Sequence, residues 1–245
     1  MVNSVVVMTE LIYMKNCYVK EWNAVIEKVG KDDQGNFIVL NRSAFYPESG
    51  GQLTDTGFVE WDGQKAYVIK VTKRGLIKHY INGPEPPVGK KVHCVVDWKR
   101  RYALMKMHTA QHIISAVALK RFGSKTVGNQ IHTDYSRLDL KPSKLSQTDL
   151  TFLEQKSNEI VDSAIPIEIY EVDRQEAESK PEEYRCNFSL LPKFIKKLRV
   201  VYIKGFDKAI CAGTHVSNTK EVGHFKILKK ENKGKNTERI IYELV

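Results

Sequence analysis

The sequence lacks the features that mark membrane and disulfide-rich proteins. No apolar run approaches the roughly 18–20 residues that a membrane-spanning helix needs. The apolar segment at residues 4–8 follows no basic residues and soon meets Glu10, so we expect neither a membrane span nor a secretory signal. Only four cysteines, far apart, occur in 245 residues. This sparse usage excludes a disulfide scaffold and predicts a reducing compartment, the cytoplasm.

Positive charge is in excess and is unevenly distributed. Lys and Arg number 39 against 29 Asp and Glu, which gives a formal net charge of +10. Residues 1–96 carry 12 basic and 10 acidic side chains, whereas residues 97–245 carry 27 basic and 19 acidic ones. A polyanionic partner such as nucleic acid would therefore lie mainly against the second part. A lysine-rich surface that only keeps the protein in solution is the alternative interpretation.

The first part of the chain is predicted to be a β-rich domain over residues 8–96, preceded by an extension at residues 1–7. Short apolar runs alternate with turn signals, and the segment DDQGN at residues 32–36 is typical of a hairpin turn. The predicted strands cover residues 37–40, 57–60, 66–71 and 91–96. No helical period dominates, so we predict a small barrel-like fold.

The pattern changes at Trp98, and residues 97–245 are predicted to form an α+β domain. Apolar residues recur at helical spacing from Trp98 to Phe122, with Gly123 as the C-cap. A second helix is predicted over residues 147–164. Strands are predicted at residues 126–132, 136–140, 167–172 and 199–203, with a closing hairpin over residues 222–230 and 239–244. We therefore expect an α+β protein whose helices pack on an antiparallel sheet.

Two short segments have the spacing of metal ligands. His108 and His112 lie four residues apart in a predicted helix, so both imidazoles share one face. Cys211 and His215 are four apart in the segment CAGTH, after an apolar strand. Three imidazoles and one thiolate suit Zn²⁺. Each pair alone is a weak signal, and HTAQH lacks the glutamate of the HExxH metalloprotease motif, so two chance pairs remain the alternative.

A third segment, FYPESGGQLTDTG at residues 45–57, contains two adjacent glycines followed by Gln52. Gly50 and Gly51 allow the backbone to approach a ligand closely, and the Gln52 amide can both donate and accept hydrogen bonds. No GK[ST] follows, so this is not a phosphate-binding P-loop. A simple hairpin turn is the alternative.

Taken together and in order, FYPESGGQ, HTAQH and CAGTH resemble the motifs of the alanyl-tRNA editing family, which is related to the editing domain of alanyl-tRNA synthetase. The similarity extends to SRLDL (136–140), VGHFKI (222–227) and ERIIY (238–242) and covers nearly the whole chain after Met8. The glycine-rich motif resembles the medium-length, AlaX-type form. One departure is Ala212, where the synthetase often has a second glycine.

The resemblance implies hydrolysis, in trans, of the ester bond of mischarged tRNA(Ala), with serine as the chief amino acid removed and glycine as a further candidate. It implies one zinc ion on His108, His112, Cys211 and His215, through which these residues act in catalysis, and substrate binding by Gly50, Gly51 and Gln52. We expect no membrane or DNA partner. The basic runs suggest tRNA backbone contacts at Lys99, Arg100, Arg101, Lys196 and Lys197, with a solvated surface as the alternative. A zinc-stabilised tRNA-binding module without hydrolytic activity is the alternative function.

Overall fold

The computed structural model describes residues 8–245, so the predicted extension at residues 1–7 lies outside the described part. The chain divides into two compact units. The first ends at Tyr102 and the second spans Ala103–Val245. This division falls inside a helix, whereas the sequence predicted a domain boundary after Val96. The assignment of the residues between these two points stays a prediction.

The first unit is a closed six-stranded barrel with strand order β2-β3-β7-β6-β5-β8. Its strands are β1 (Glu10–Leu11), β2 (Glu21–Asp32), β3 (Gly35–Leu40), β4 (Arg42–Ser43), β5 (Gly57–Trp61), β6 (Gln64–Arg74), β7 (Leu76–Asn82) and β8 (Lys91–Val96). The short strands β1 and β4 pair in parallel outside the barrel. The predicted barrel-like fold is confirmed.

Alternating side chains of the long strands fill the barrel. In β6, Ala66, Val68 and Val71 are buried, while Tyr67 and Ile69 are exposed. The hairpin between β2 and β3 forms where DDQGN predicted it, with Gly35 in the positive-φ region. Strand β7 is not among the strands predicted from the sequence.

The second unit contains most of a long helix, two further helices and seven strands. These elements are α1 (Trp98–Phe122), β9 (Lys125–Ile131), β10 (Tyr135–Lys141), α2 (Gln147–Asp162), β11 (Ile167–Asp173), α3 (Arg174–Ser179), β12 (Lys197–Ile203), β13 (Asp207–Ile210), β14 (Phe225–Asn232) and β15 (Glu238–Leu244). Gly123 follows α1 with φ +66°, as its predicted C-cap role requires. The α+β class is confirmed.

The strands of the second unit form two sheets rather than one. One has the order β14-β15-β10-β9 and the other β11-β12-β13, and all their pairs are antiparallel. Helix α2 lies against β14, where the Asn158 side chain donates to the Phe225 carbonyl and accepts from the Phe225 amide. Strand β13 leads directly into CAGTH. Among residues 8–245, no helix combines the length and apolar character needed to cross a membrane.

Candidate metal centre

Helix α1 contributes the first half of the candidate centre. His108 and His112 are one turn apart, both are buried, and their ring centroids are 5.2 Å apart. Almost every residue of the helix from Leu104 to Ala118 is buried. The helix is therefore buried nearly all round, and the two imidazoles are polar groups in the protein interior, where they require partners.

The loop that follows β13 contributes Cys211 and His215, and Arg199 of β12 holds it. The Cys211 N–H donates to the Arg199 carbonyl at 3.0 Å. The buried Arg199 guanidinium donates to the carbonyls of Cys211 at 2.7 Å and Gly213 at 2.9 Å. The sequence predicted a strand at Arg199 but not its contact with this loop. The sequence feature that could have revealed this role is a charged residue, Arg199, at the start of the otherwise apolar run RVVYI.

The four side chains converge on one point. Their ligand atoms all lie within 4.8 Å of one another. Cys211 Sγ is 3.6 Å from His108 Nε2 and 3.4 Å from His215 Nε2. With Zn–S and Zn–N bonds of about 2.3 and 2.0–2.1 Å, two ligands of a tetrahedral zinc are separated by about 3.5 Å. The spacing therefore suits a single tetrahedral ion.

The protonation state of the histidines also suits a metal. Burial lowers the pKa of His108 to about 3, and nearby Arg199 and Arg185 act in the same direction. Burial likewise places the pKa values of His112 and His215 well below the ordinary range. All three imidazoles are therefore neutral at pH 7, and each carries a lone pair that can bind a cation.

Thr109 fixes which nitrogen of His215 faces the cluster. The Thr109 hydroxyl donates to the Met105 carbonyl at 2.9 Å, because a carbonyl can only accept. Its oxygen then accepts from His215 Nδ1 at 3.1 Å and from the Val216 amide at 3.3 Å. With its hydrogen on Nδ1, His215 presents the lone pair of Nε2 to Cys211. Such outer hydrogen bonds commonly orient metal-binding histidines.

One ligand is left without a partner. His112 Nδ1 is buried and accepts or donates no hydrogen bond within residues 8–245. A buried polar atom without a partner costs free energy, and here it belongs to a group of three neutral imidazoles and a thiol. A cation at the centre of the four residues would bind these lone pairs. The residues present therefore fit a zinc ion.

The glycine-rich segment lies in the first unit as a tight turn. Gly50 and Gly51 have φ +58° and +84°, a region that favours glycine. The backbone amide of Gln52 donates to the Ser49 carbonyl at 2.9 Å, and the Gln52 side chain is buried. The predicted contact of Gly50, Gly51 and Gln52 with substrate stays a prediction.

The predicted tRNA contacts differ in exposure, and one of them requires correction. Arg101 is 0% exposed and forms an ion pair with the equally buried Asp55, with its Nε 3.0 and 2.9 Å from the two carboxylate oxygens. It also donates to the carbonyls of Cys17 and Ala44. Because the Arg101 side chain has no solvent-exposed surface, it cannot reach a phosphate, so its predicted contact with tRNA is wrong.

The remaining basic residues stay predictions. Lys99, Lys196 and Lys197 are exposed. Arg100 is half-buried, and its Nε donates to the Thr54 carbonyl at 2.9 Å. The sequence alone did not show which of Lys99, Arg100 and Arg101 is exposed. Three adjacent side chains on a helix point in three directions, and only some of these directions face solvent.

Comparison with known families supports the same interpretation. Residues 198–241 match the model of the threonyl and alanyl tRNA synthetase second additional domain. Residues 8–100 match the model of the class II (A) tRNA synthetases. Together the two matches cover parts of both units.

Several curated proteins resemble the chain over nearly its full length. The alanyl-tRNA editing protein AlaX-M of Methanosarcina barkeri is 40% identical over 97% of this chain and 100% of its own length. The AlaX-M protein of Saccharolobus solfataricus is 37% identical over 96% and 98%. The alanine–tRNA ligase of Methanopyrus kandleri is 38% identical over 83% of this chain, but over only 22% of the ligase. On this identity and coverage, the chain belongs to the AlaX-M family of alanyl-tRNA editing proteins.

Proposed function

We propose that this protein hydrolyses the ester bond of mischarged tRNA(Ala), chiefly Ser-tRNA(Ala), with Gly-tRNA(Ala) as a further candidate substrate, and that one zinc ion is required. The observation that carries this proposal is the convergence of His108, His112, Cys211 and His215 within 4.8 Å. The names of the relatives, alanyl-tRNA editing proteins, supply the substrate class. Because aminoacyl-tRNA is the substrate, we assign the activity to the cytoplasm.

Such an activity has a physical reason. A synthetase pocket built for alanine cannot strongly reject glycine, because one methyl group is worth only about 1–3 kcal/mol. Serine adds a single hydroxyl to the alanine side chain, and an apolar pocket rejects such an addition weakly. A second, hydrolytic site that selects on that hydroxyl would remove the errors after charging.

The chain's own residues would shape the site around the ion. When bound, zinc can polarise an ester carbonyl or lower the pKa of a water molecule. Cys211 is the half-buried member of the cluster, whereas the three histidines are buried. The substrate would therefore approach from the Cys211 side, where Ala212 is exposed. Arg199 would keep the Cys211 carbonyl turned inward, and Thr109 would keep His215 oriented.

Four protein ligands usually make a closed, structural zinc site. The proposal therefore requires either that one ligand is loosely held or that the ion chiefly positions the substrate. Gln52, Gly50 and Gly51 are proposed as substrate contacts because the motif resembles that of the family. Replacing Gln52 by Ala tests this role: unchanged serine hydrolysis and unchanged serine-over-alanine selectivity would contradict it.

The phosphates of tRNA are proposed to meet Lys99, Arg100, Lys196 and Lys197. Each lost phosphate contact lowers the slope of log affinity against log salt by about 0.7–0.9. Replacing Lys196 and Lys197 by Gln should therefore weaken binding and reduce its salt dependence. If the variant and the parent protein have equal slopes of log affinity against log salt, these two lysines do not contact the phosphates.

The deciding experiment follows deacylation of Ser-tRNA(Ala) and Ala-tRNA(Ala) by the purified protein and by Cys211→Ala. We expect rapid loss of serine with alanine spared, and loss of both zinc and activity in the variant. Cys186→Ala is the matched control, because Cys186 is also a half-buried free thiol but lies outside the cluster. If the zinc-loaded protein binds tRNA and leaves the serine ester intact, the function is instead that of a zinc-stabilised tRNA-binding module.

A further inference from the structure

The segment between the turn at Phe188–Leu190 and strand β12 has a fixed backbone. Arg174 holds it: Nη1 donates to the Pro192 carbonyl at 2.7 Å, and Nη2 lies 3.4 Å from the carbonyl oxygen of Phe188. The Arg174 amide also donates to the Lys196 carbonyl at 2.8 Å. Hydrogen bonds from one residue to carbonyls spread along the segment restrain its conformation.

The same segment divides its apolar side chains between the core and the solvent. Phe188, Leu191 and Ile195 pack against the buried cluster around Val172 and Leu198. Leu190 and Phe194 point the other way and are 78% and 80% exposed. Single exposed apolar residues are common and need no explanation by themselves. Here, however, two of them are presented by one anchored segment.

Exposed lysines flank Phe194 in the sequence. Lys193, Lys196 and Lys197 are all exposed. The sequence from Asn187 to Arg199 contains no acidic residue. An aromatic ring flanked by lysines is the combination that binds single-stranded nucleic acid, because bases stack on the ring while the cations meet the phosphates.

The strand register places this segment beside the metal centre within the second unit. Cys211 is hydrogen-bonded to Arg199, with the Cys211 amide donating to the Arg199 carbonyl at 3.0 Å. Lys197 precedes Arg199 by two residues on β12, a distance of about 6.6 Å along a strand. The basic segment therefore enters β12 at the same end of the sheet at which the metal-binding loop leaves β13.

We propose that Phe194 is a stacking platform for a base of the single-stranded 3′ end of tRNA, with Leu190 extending the apolar surface and Lys193, Lys196 and Lys197 binding the adjoining phosphates. This inference rests on the proposed function, in which the ester on that 3′ end must reach the metal centre. Unpaired RNA ends expose the faces of their bases, and aromatic side chains recognise them without requiring a particular sequence.

The test measures binding of uncharged tRNA(Ala), so it does not depend on hydrolysis. Full-length tRNA is compared with tRNA that lacks its last three 3′ nucleotides. The variants are Phe194→Ala, Phe194→Leu and Phe194→Tyr. Tyr67→Ala is the matched control, because Tyr67 is an aromatic residue 58% exposed on barrel strand β6. Zinc content and circular dichroism establish that each variant is folded and loaded.

We expect Phe194→Ala to weaken binding of full-length tRNA by about 5- to 150-fold, which is the range for loss of one stacked base. Phe194→Leu should weaken it nearly as much, Phe194→Tyr should restore it, and Tyr67→Ala should have no effect. None of the Phe194 variants should change the affinity for the trimmed tRNA.

Two results would overturn the inference. If Phe194→Ala binds full-length tRNA as tightly as Tyr67→Ala does, Phe194 contacts no base. If the loss is equal for full-length and trimmed tRNA, Phe194 contacts another part of the molecule. Failure of the proposed function gives a different result. If the protein binds the 3′ end through Phe194 but does not hydrolyse Ser-tRNA(Ala), the stacking role holds and the proposed hydrolysis is contradicted.

Discussion

The two units each bury a cluster of polar side chains, and the clusters differ in what they leave unsatisfied. In the first unit, Arg101 and Asp55 satisfy each other, and Arg101 also donates to two backbone carbonyls. Asp55 accepts in addition from the Tyr46 amide at 2.6 Å. In the second unit, four ligand atoms face one another, and His112 Nδ1 has no hydrogen-bond partner within residues 8–245.

This difference separates a structural cluster from a binding site. Opposite charges and filled hydrogen bonds make the Arg101–Asp55 pair complete without any ligand, so it holds the backbone around Ala44 and Tyr46 in place. Neutral imidazoles and a thiol cannot neutralise one another in this way. A cation at the centre of the cluster would bind the lone pairs that face it, and its binding would add to the free energy of unfolding.

Removing the metal should have the largest effect. Stripping zinc with a chelator should lower the free energy of unfolding by more than about 5 kcal/mol, since structural zinc sites contribute about 10–16 kcal/mol in isolated zinc-finger peptides. Urea unfolding with and without chelator measures this, and re-added Zn²⁺ should restore the loss. The Cys211→Ala variant is the control and should not respond to the chelator. An unchanged unfolding curve for the parent protein would contradict the metal centre.

Breaking the buried ion pair should cost less and should leave the metal in place. Asp55→Asn leaves the Arg101 charge without a counter-charge, and removal of one partner of a buried pair costs about 3–5 kcal/mol. Urea unfolding measures the loss, and the bound zinc per chain should stay the same. The double replacement Asp55→Leu, Arg101→Met should recover part of the stability. Loss of zinc in Asp55→Asn would show that metal binding depends on the Arg101–Asp55 pair, which would contradict the separation of the two clusters.

Acid should weaken the barrel through His79. Burial lowers the pKa of His79 to about 4 from 6.5, while Nε2 accepts from the Ser43 hydroxyl at 2.7 Å. The unfolded chain therefore binds a proton at His79 more readily than the folded one, so this stability is present above pH 6.5 and is lost as the pH falls toward 4. Between pH 7 and pH 5 the loss is about 2 kcal/mol.

The control for His79 is the variant His79→Gln, which cannot titrate. The difference in unfolding free energy between the parent protein and this variant should shrink by about 2 kcal/mol between pH 7 and pH 5. The zinc-binding histidines are common to both proteins and cancel in the difference. A difference that does not change with pH would show that His79 is not the titrating group.

The smallest effect should come from Thr109. Replacing it by Val removes the acceptor for His215 Nδ1, and loss of an outer hydrogen bond to a metal ligand lowers metal affinity by about 10- to 100-fold. Because this bond is made to a neutral hydroxyl, we expect a loss of about 10-fold, measured by competition with a chromophoric chelator. Thr109→Ser keeps the hydroxyl and should bind zinc as the parent does. If Thr109→Val and the parent protein bind zinc with equal affinity, Thr109 does not orient His215 for metal binding.

Most helices and strands could be predicted from the sequence because their signals are local. The 25-residue helix α1, its end at Gly123 and the hairpin before Phe37 follow from side-chain period and turn residues. Strand β7 was not predicted, because the sequence LIKHYIN, with Lys78 and His79 side by side, does not alternate between apolar and polar residues. The division of the second unit's strands into two sheets was also missed, because strand patterns carry no information on which strands pair.

The sequence by itself determined the pair of histidines on one face of α1 and the pair of Cys211 and His215 in one loop. The spacing of four residues puts the two histidines on one face of the helix, and the short CAGTH segment keeps Cys211 and His215 close along the chain. Only the tertiary structure decided that the two pairs meet, across 103 residues of chain between His108 and Cys211. It also decided that Arg101 is buried with Asp55, whereas Lys99 faces solvent. The physical reason is that the partners and burial of a side chain depend on long-range packing, which local spacing does not encode.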